Sequence, residues 1–331
     1  MMSRLGLILG PGPMRSRLVM VLALMLAAAA VGSAIGRLAE STSTTPPAAH
    51  ASLAPATAAY LGVFEPGAPP GYAPIAGFAQ AAGRQPNLLG YYSGWAAPFN
   101  TGFAQMIQKH GITPFVQVDP TDASVEQIAK GTYDDYLRSY ADSVRAFGHA
   151  VVIGFGHEMN APWYSWGYGH VAPATFVAAW RHVVTLFHQE GADNVTWLWT
   201  LQADEAGTGP VASWWPGAPY VTWVGIDGYY YHPGDTFSKV FGKTITQVRA
   251  FTDKPILLSE TAVGPGVDNE VSAIQNLFRG MAAYKTLGLV WFDKAQHDGI
   301  YHQDWRLEDN QQAEISFHLG VSRELAPNPS S

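Results

Sequence analysis

The chain has 331 residues and a formal charge of −7, with 19 Lys and Arg against 26 Asp and Glu. A chain of this length can bury one large core or two modest ones. The acidic balance argues against nucleic-acid binding, which needs a basic face. The sequence has no Cys, which excludes disulfides, thiolate zinc sites and thiol catalysis. Aromatic residues make up 12% of the chain, a share that suits either a Trp-rich core or rings that line an open cleft.

The N-terminal segment has the features of an export signal. Arg15 and Arg17 precede an apolar run from Leu18 to Ile35, and a positive flank before such a run is typical of a secretory signal peptide. The run is also just long enough to span a membrane. We therefore predict a signal peptide or a membrane anchor over residues 1–36, and a protein that is secreted or anchored to the outer face of the cell membrane.

The composition changes after this segment and again at the C-terminus. Residues 37–59 are rich in Ser, Thr, Pro and Ala, which predicts a disordered linker. Residues 60–325 form the predicted folded domain, and residues 326–331 a loose tail. The folded part is close to the ~250 residues that a single (β/α)8 barrel needs.

Short apolar runs alternate with helical patterns along the folded domain. In chain order, the predicted strands are Tyr60–Phe64, Leu88–Trp95, Thr113–Val118, Ala150–Gly156, Val195–Leu201, Val221–Ile226, Pro255–Ser259 and Leu289–Phe292. The predicted helices are Ile75–Ala82, Gly102–His110, Tyr133–Phe147, Pro173–Glu190, Phe237–Phe251, Asp268–Lys285 and Glu308–Leu319, and Asp204–Pro219 is expected to form a loop.

This alternation indicates a parallel sheet that is covered on both faces. Eight such units favour an α/β fold of the closed (β/α)8 TIM barrel type over an open doubly wound sheet. No GxGxxG or P-loop motif follows any predicted strand, so a nucleotide site has no support and no cofactor is predicted.

Polar residues that follow the strands are the candidates for chemistry, because a closed barrel carries its active site at the carboxyl ends of its strands. His157 and Glu158 follow the fourth strand directly, and Glu260 follows the seventh. Their side chains can converge over the barrel mouth. Paired carboxylates suit glycoside cleavage, in which one is protonated to release the leaving oxygen and the other is ionised. The alternative is that each glutamate pairs with a buried base and only holds the mouth together.

The residues after the fourth strand resemble a known signature. His157-Glu158-Met159-Asn160, followed by Trp163 and Trp166-Gly167, resembles the HEMNG-x-W-x-x-WG signature of glycoside hydrolase family 26. Further similar segments are Ile128–Asp134, Ala179–His182, Gly191–Val195, Val224–Tyr229 and Pro255–Glu260, so the resemblance extends from about Tyr60 to Leu319. It implies a (β/α)8 barrel and a retaining endo-glycosidase that hydrolyses a polysaccharide of the β-1,4-mannan or β-1,3-1,4-glucan type.

The resemblance also implies roles for individual residues. Glu158 would be the general acid/base and Glu260 the nucleophile. His157 would hydrogen-bond the substrate or the nucleophile, and Trp163 would form the floor of a sugar subsite. Tyr229 would contact the nucleophile carboxylate, although either of the two tyrosines that follow it could face inward instead.

Three further residues are predicted to bind substrate. Trp291 on the eighth strand would stack under the reacting sugar. Trp95 after the second strand is a candidate for a distal subsite, and packing explains it equally well. Asp119 lies at the mouth end of the third strand, where it could contact substrate or start a helix. Asp227, at the end of the sixth strand, suits sugar binding and helix capping equally.

The chain departs from the family pattern near the expected site. Gly154 stands where many relatives have Arg, Ala161 where they have Gly, and Gln202 where they have Asn. Val118-Asp119 replaces the Trp-His that is common in mannanases, which weakens the assignment to mannan. The segment Tyr91–Trp95 is more similar to the β-1,3-1,4-glucanase branch of the family.

Two other functions stay open on the sequence. The first is a carbohydrate-binding protein on a hydrolase scaffold that has lost turnover. The second is a metal hydrolase in which His157, Glu158 and Asp119 are ligands, but no HxH or HxxxH pair is present at ligand spacing, so no metal is predicted. A polysaccharide is the expected partner, nucleic acid is not, and a membrane is expected only through the N-terminal anchor. The sequence does not determine the oligomeric state.

Overall fold

The computed structural model describes residues 53–56, 59–204, 207–296 and 302–325. The predicted signal peptide or anchor over residues 1–36, most of the linker over residues 37–59 and the tail over residues 326–331 lie outside the described residues. Within these ranges no helix combines the length and the hydropathy that a membrane crossing requires.

Eight parallel strands in the described residues form a closed barrel in which each strand pairs with its neighbours in chain order and β1 pairs with β8. The strands are β1 Tyr60–Phe64, β2 Leu88–Gly94, β3 Thr113–Asp119, β4 Val151–Phe155, β5 Val195–Gln202, β6 Trp223–Asp227, β7 Ile256–Thr261 and β8 Gly288–Phe292. The predicted (β/α)8 barrel is therefore confirmed, and each strand lies within two residues of its predicted limits.

Helices cover the outside of the barrel. They are α1 Ala73–Ala81, α2 Thr101–Gln108, α3 Val125–Ala129, α4 Asp134–Phe147, α5 Pro173–Gln189, α6 Lys243–Arg249, α7 Glu270–Tyr284 and α8 Gln311–Glu324. The short helix α3 is not anticipated by the sequence pattern, and a π turn, Ser238–Gly242, leads into α6. The segment expected to form a loop after β5 contains a short 3-10 turn, Val211–Trp214.

Alternation along the strands divides their side chains between two layers. One set of residues fills the bottom of the barrel interior: Tyr60, Leu88, Phe115, Val152, Leu198, Trp223, Leu257 and Val290. The residues between them, such as Leu89, Ile153 and Leu289, belong to the larger core that packs under the helices. Because successive side chains of a strand point to opposite faces, the inward positions continue upward to the carboxyl ends of the strands.

A β-bulge interrupts this alternation in β7. The register between β6 and β7 shifts after Gly225, which pairs with Leu257, so that Asp227 pairs with Glu260. A bulge of this kind adds a residue to one strand and re-aims the side chains that follow. It allows both Ser259, whose hydroxyl contacts Asp227, and Glu260, which lines the cleft above the barrel, to face the interior.

Candidate active site

The carboxyl ends of the strands carry a group of buried acids. Glu158 and Glu260 are each 6% exposed and Asp227 is fully buried. One carboxylate oxygen from each of the three lies within 4.8 Å of the others. The structure thus brings together the two glutamates that the sequence singled out.

An open cleft of about 810 Å³ lies over these acids. Its walls are largely aromatic and its floor is polar, a composition that suits a sugar polymer better than an apolar ligand. The lining residues are Phe64, Tyr92, Asp119, Thr121, Asp122, His157, Glu158, Trp163, Tyr164, Ser165, Trp166, Tyr229, Glu260, Phe292, Lys294 and Gln296.

An unusual backbone turn presents Glu158 to the cleft. After β4 the chain turns through Gly156 at φ +56° and Glu158 at φ +53°. A positive φ at a residue with a side chain is strained, and such strain persists only where surrounding contacts enforce it. Here the Glu158 amide donates to the Thr200 carbonyl at 3.0 Å, and the Glu158 carbonyl accepts from the Ala161 amide at 2.9 Å.

Glu260 is held by two tyrosine hydroxyls. Tyr229 donates to Oε2 at 2.5 Å, and Tyr92 donates to Oε1. Burial, together with the negative charge of Glu260, raises the pKa of both tyrosines well above the usual value, so both hydroxyls keep their protons and act as donors. Both oxygens of this carboxylate are therefore fixed in position.

Glu158 has a different partner. The indole Nε1 of Trp163 donates to Oε2 of Glu158 at 2.7 Å, and the Trp163 ring is 40% exposed at the edge of the cleft. A ring in this position can hold the acid in place and still offer a face to a bound sugar.

His157 is buried between two polar partners. Its Nδ1 lies 2.8 Å from Oδ1 of Asp119, and its Nε2 lies 3.1 Å from the hydroxyl of Tyr164. Burial by itself lowers the pKa of His157, but the charge and hydrogen bond of Asp119, with the charges of Glu158 and Glu260, raise it to about 9. His157 is thus an imidazolium at neutral pH.

Asp227 is the third acid of the group. Burial, together with the charges of Glu260 and Glu158, raises its pKa well above the usual value and so favours its neutral form. The Ser259 hydroxyl donates to its Oδ1 at 2.5 Å. The side chain lies close to the two glutamates, and it caps none of the helices in the described residues.

Two of the predicted substrate contacts do not lie in the cleft. Trp291 is 1% exposed, packs edge-on against Phe317 of α8 and donates its indole N–H to the Trp305 carbonyl. Its neighbour Phe292 faces the cleft instead. The prediction that Trp291 stacks under the sugar is wrong, because strand alternation turns it toward the helices.

Trp95 is the second correction. Its ring packs against Tyr133, against Tyr136 of α4 and against Phe155 on the outer face of β4. It lies in the outer layer for the same reason as Trp291, since inward positions of β2 have even numbers up to Tyr92. The packing alternative for Trp95 is therefore the one that the structure supports.

The other predicted residues line the cleft: Glu158, Glu260, His157, Trp163, Tyr229 and Asp119. The sequence did not predict a contact of Tyr92 with Glu260, and it gave no role to Tyr164 or Phe292. Alternation from the buried Leu88 would have selected Tyr92, and alternation from Trp223 would have selected Tyr229 over Tyr230. No local pattern identifies Tyr164, because it lies in a loop.

The departure at Gly154 has a steric reason. A Cβ on Gly154 would lie 1.8 Å from Oε1 of Gln117 and 3.3 Å from the Leu198 carbonyl oxygen. The Gln117 side chain occupies the space that a longer residue would need, and its amide donates to the Thr200 hydroxyl at 3.0 Å. A side chain at position 154 would therefore require Gln117 to move and to give up this hydrogen bond.

The group of acids is spaced closely enough for a cation to reach more than one of them. Tyrosine and indole donors, however, already engage both oxygens of Glu260 and one of Glu158. Both ring nitrogens of His157 are engaged as well. The donor set suits acids that react with substrate better than acids that ligate a metal.

Comparison with known proteins identifies one family. The model of glycosyl hydrolase family 26 matches residues 105–318. Endoglucanase H of Acetivibrio thermocellus is 26% identical over 271 residues, which are 77% of this chain and 29% of that protein. Mannan endo-1,4-beta-mannosidase A and B of Caldalkalibacillus mannanilyticus is 24% identical over 168 residues, 48% of this chain and 31% of that protein. The chain thus spans less than a third of the length of these relatives.

Solved structures show the same architecture. The structure of Bacillus subtilis mannanase man26 matches with a TM-score of 0.61 and 19% identity, covering 83% of this chain and 90% of that one. At this level of identity the likeness bears on the fold alone.

Proposed function

The chain belongs to glycosyl hydrolase family 26, and on that premise we propose that it is a retaining endo-β-glycanase. Its substrate would be a β-linked polysaccharide of the β-1,4-mannan or β-1,3-1,4-glucan type. Hydrolysis would proceed by double displacement, with Glu158 as the acid/base and Glu260 as the nucleophile.

The observation that carries this proposal is the spacing of the two glutamates. One oxygen of Glu158 lies within 4.8 Å of one oxygen of Glu260. Retaining glycosidases separate their carboxyl groups by about 5–5.5 Å, whereas inverting enzymes need about 6.5–9.5 Å to admit a water molecule between acid and base. The short separation supports direct attack by a carboxylate on the sugar.

The surroundings of each glutamate support the division of roles. In the first step, Glu260 attacks the anomeric carbon and forms a glycosyl-enzyme ester. The bond from that carbon to the glycosidic oxygen breaks, Glu158 donates a proton to the oxygen, and the leaving sugar departs as an alcohol. In the second step, Glu158 removes a proton from water, which attacks the same carbon and releases Glu260. The tyrosine donors on both oxygens of Glu260 hold the attacking group in one orientation, so little reorganisation is needed.

The substrate class is supported by the cleft and by the relatives. An open cleft of about 810 Å³ with aromatic walls can accept the interior of a polymer, which favours endo action. The names of the relatives include an endoglucanase and a mannan endo-1,4-beta-mannosidase. We further propose that the chain acts outside the cell, where such polymers are found, in keeping with the export signal expected from the sequence.

The experiment is a reducing-end release assay with purified protein on mannan, mixed-linkage β-glucan and β-1,3-xylan, with Glu260→Ala as the matched blank. We expect release from one polymer and a loss of turnover in the blank to background, because one carboxylate supplies the whole covalent step. An unchanged circular dichroism spectrum would show that the variant is folded. Unchanged activity in Glu260→Ala would exclude this mechanism. Binding without release from any polymer would favour a carbohydrate-binding protein.

A further inference from the structure

Two hydrogen bonds link Asp119, His157 and Tyr164, and the donor and acceptor of each can be assigned. Asp119 Oδ1 lies 2.8 Å from Nδ1 of His157 and can only accept while it is ionised. Nε2 of the same ring lies 3.1 Å from the Tyr164 hydroxyl. His157 is 4% exposed and Asp119 is 6% exposed, so solvent does not compete for these contacts.

The charge on His157 sets the direction of the second hydrogen bond. Asp119 and the neighbouring glutamates outweigh burial and raise the pKa of His157 to about 9, so both ring nitrogens carry protons at pH 7. An imidazolium donates from both nitrogens and accepts from neither. The Tyr164 hydroxyl must therefore accept from Nε2, and its own proton is directed elsewhere.

The hydroxyl proton of Tyr164 can point into the cleft. Tyr164 lines the cleft, and its ring is stacked on Trp166 with ring centroids 4.4 Å apart and planes 6° apart. Trp166 is fixed in turn by its indole N–H, which donates to the His157 carbonyl at 2.9 Å. Burial and the charges of Glu158 and Glu260 raise the pKa of Tyr164, so the hydroxyl stays protonated. Within the described ranges, its contact with His157 is its only hydrogen bond to protein.

We propose that Tyr164 is a substrate-binding residue whose hydroxyl acts only as a donor, and that Asp119 and His157 are the positioning residues that fix this polarity. The ligand is an acceptor oxygen of the β-linked sugar that lies in the cleft beside Glu158. This inference rests on the proposed function, since it adds a contact to the same site.

The polarity depends on the protonation of His157. When the ring loses its proton, Nδ1–H still donates to Asp119 and Nε2 becomes an acceptor. The Tyr164 hydroxyl then donates to Nε2 and presents only lone pairs to the sugar. The donor contact is therefore present below the pKa of His157 and is lost as the pH rises through about 9.

Titratable groups from four segments face His157. They are Asp119 from β3, Tyr92 from β2 with its ring centroid 5.2 Å away, Glu260 from β7, and Glu158 and Tyr164 from the segment after β4. All the carboxylates among them favour the imidazolium. Among the described carboxylates, Asp119 is the one that accepts a hydrogen bond from the ring. Asp119→Asn therefore removes the carboxylate that raises the pKa of His157 most and leaves Glu158 and Glu260 in place.

The kinetic test compares Tyr164→Phe, Asp119→Asn and the double variant on the polymer that the wild type cleaves. Tyr168→Phe is the matched control, because Tyr168 lies in the same loop, is 40% exposed and does not line the cleft. At pH 7 we expect Tyr164→Phe to raise KM about three- to tenfold, as the loss of one hydrogen bond does. Asp119→Asn should raise KM as well, and the double variant should be no worse than the more impaired single variant.

The pH profile separates this role from a structural one. The KM of the wild type should rise as the pH passes about 9, whereas the KM of Tyr164→Phe should show no such rise. The control Tyr168→Phe should follow the wild type throughout. An unchanged KM in Tyr164→Phe, or additive losses in the double variant, would overturn the inference while leaving the hydrolase function intact.

A second measurement does not depend on turnover. Nitrogen-15 NMR of the His157 ring should report two protonated nitrogens at pH 7 in the wild type and a lower pKa in Asp119→Asn. A neutral ring at pH 7 would overturn the proposed polarity whatever the substrate. If no polymer is hydrolysed, affinity electrophoresis of Glu260→Ala against Glu260→Ala/Tyr164→Phe compares binding directly, and equal retardation of the two would overturn the role of Tyr164.

Discussion

The two glutamates at the mouth of the barrel are the same residue type with different surroundings. Both oxygens of Glu260 accept hydrogen bonds, from Tyr92 and Tyr229, which hold the carboxylate in one orientation. Glu158 accepts from the indole of Trp163 and lies on a strained turn. Two carboxylates with environments that differ in this way are what acid and nucleophile roles require.

The acid role of Glu158 can be tested through the leaving group. Glu158→Ala should lower kcat/KM on the natural polymer by about 10²–10⁴, because proton donation to the leaving oxygen is lost. A substrate with an activated aryl leaving group needs little proton donation, so its glycosylation step should be slowed far less. Steady-state kinetics on both substrates provide the comparison. Equal losses on the two substrates would mean that Glu158 is not the acid.

The ion pair of His157 with Asp119 predicts how stability depends on pH. The pKa of His157 is about 9 in the folded chain and about 6.5 when unfolded. A raised pKa stabilises the fold fully below about pH 6.5, and this contribution is lost as the pH rises through about 9. Chemical denaturation of wild type and Asp119→Asn should therefore show a gap in unfolding free energy that is largest near pH 6 and narrows toward pH 9.5. A gap that is constant over this range would contradict the charged state of His157.

At the scale of the elements, the strands position the site by alternation and by one exception to it. Inward positions of β2, β3 and β6 lead upward to Tyr92, Asp119 and Asp227. Strict alternation in β7 from the inward Leu257 would turn Glu260 away from the cleft, and the bulge corrects this. The same alternation explains why Trp95 and Trp291 pack under the helices.

The helices offer a matched test of packing. Gly280 of α7 and Gly77 of α1 both lie within helices, but a Cβ on Gly280 would lie 2.0 Å from the Phe237 ring, while a Cβ on Gly77 would meet nothing within 4 Å. Gly77→Ala should stabilise the protein by about 0.5–1 kcal/mol through helix propensity. Gly280→Ala should destabilise it by about 1–3 kcal/mol through overpacking. Urea unfolding of both variants measures these changes. Equal changes in the free energy of unfolding would contradict the close contact of Gly280 with Phe237.

At the scale of the whole molecule, barrel closure gathers the site from distant parts of the chain. Asp119 lies on β3, Glu158 follows β4 and Glu260 lies on β7. The closed parallel sheet places the carboxyl ends of these strands around one mouth. The chain is acidic, with a formal charge of −7. A neutral polysaccharide has no charge for this field to act on.

Because the proposed substrates are neutral, we expect the KM to depend only weakly on salt concentration. Between about 0.05 and 0.5 M NaCl, where screening becomes strong, the KM on mannan or mixed-linkage glucan should stay within about twofold. Initial rates at fixed pH across this range provide the measurement. A KM that changes about tenfold or more on these neutral polymers would contradict the prediction, because it would show that charges of the protein control binding.

The sequence by itself determined the fold class and identified the two candidate acids of the site. Eight alternating units predicted the barrel because each buried strand needs a covering helix, and the residues after the fourth and seventh strands predicted Glu158 and Glu260 because barrel sites lie at strand ends. Tertiary structure decided what local patterns do not encode. The bulge that turns Glu260 inward depends on the register with β6, and the contact of Tyr164 with His157 depends on the path of a loop. Which aromatic rings face the cleft depends on how each strand is rotated in the closed barrel, and that rotation is set by packing among residues far apart in sequence.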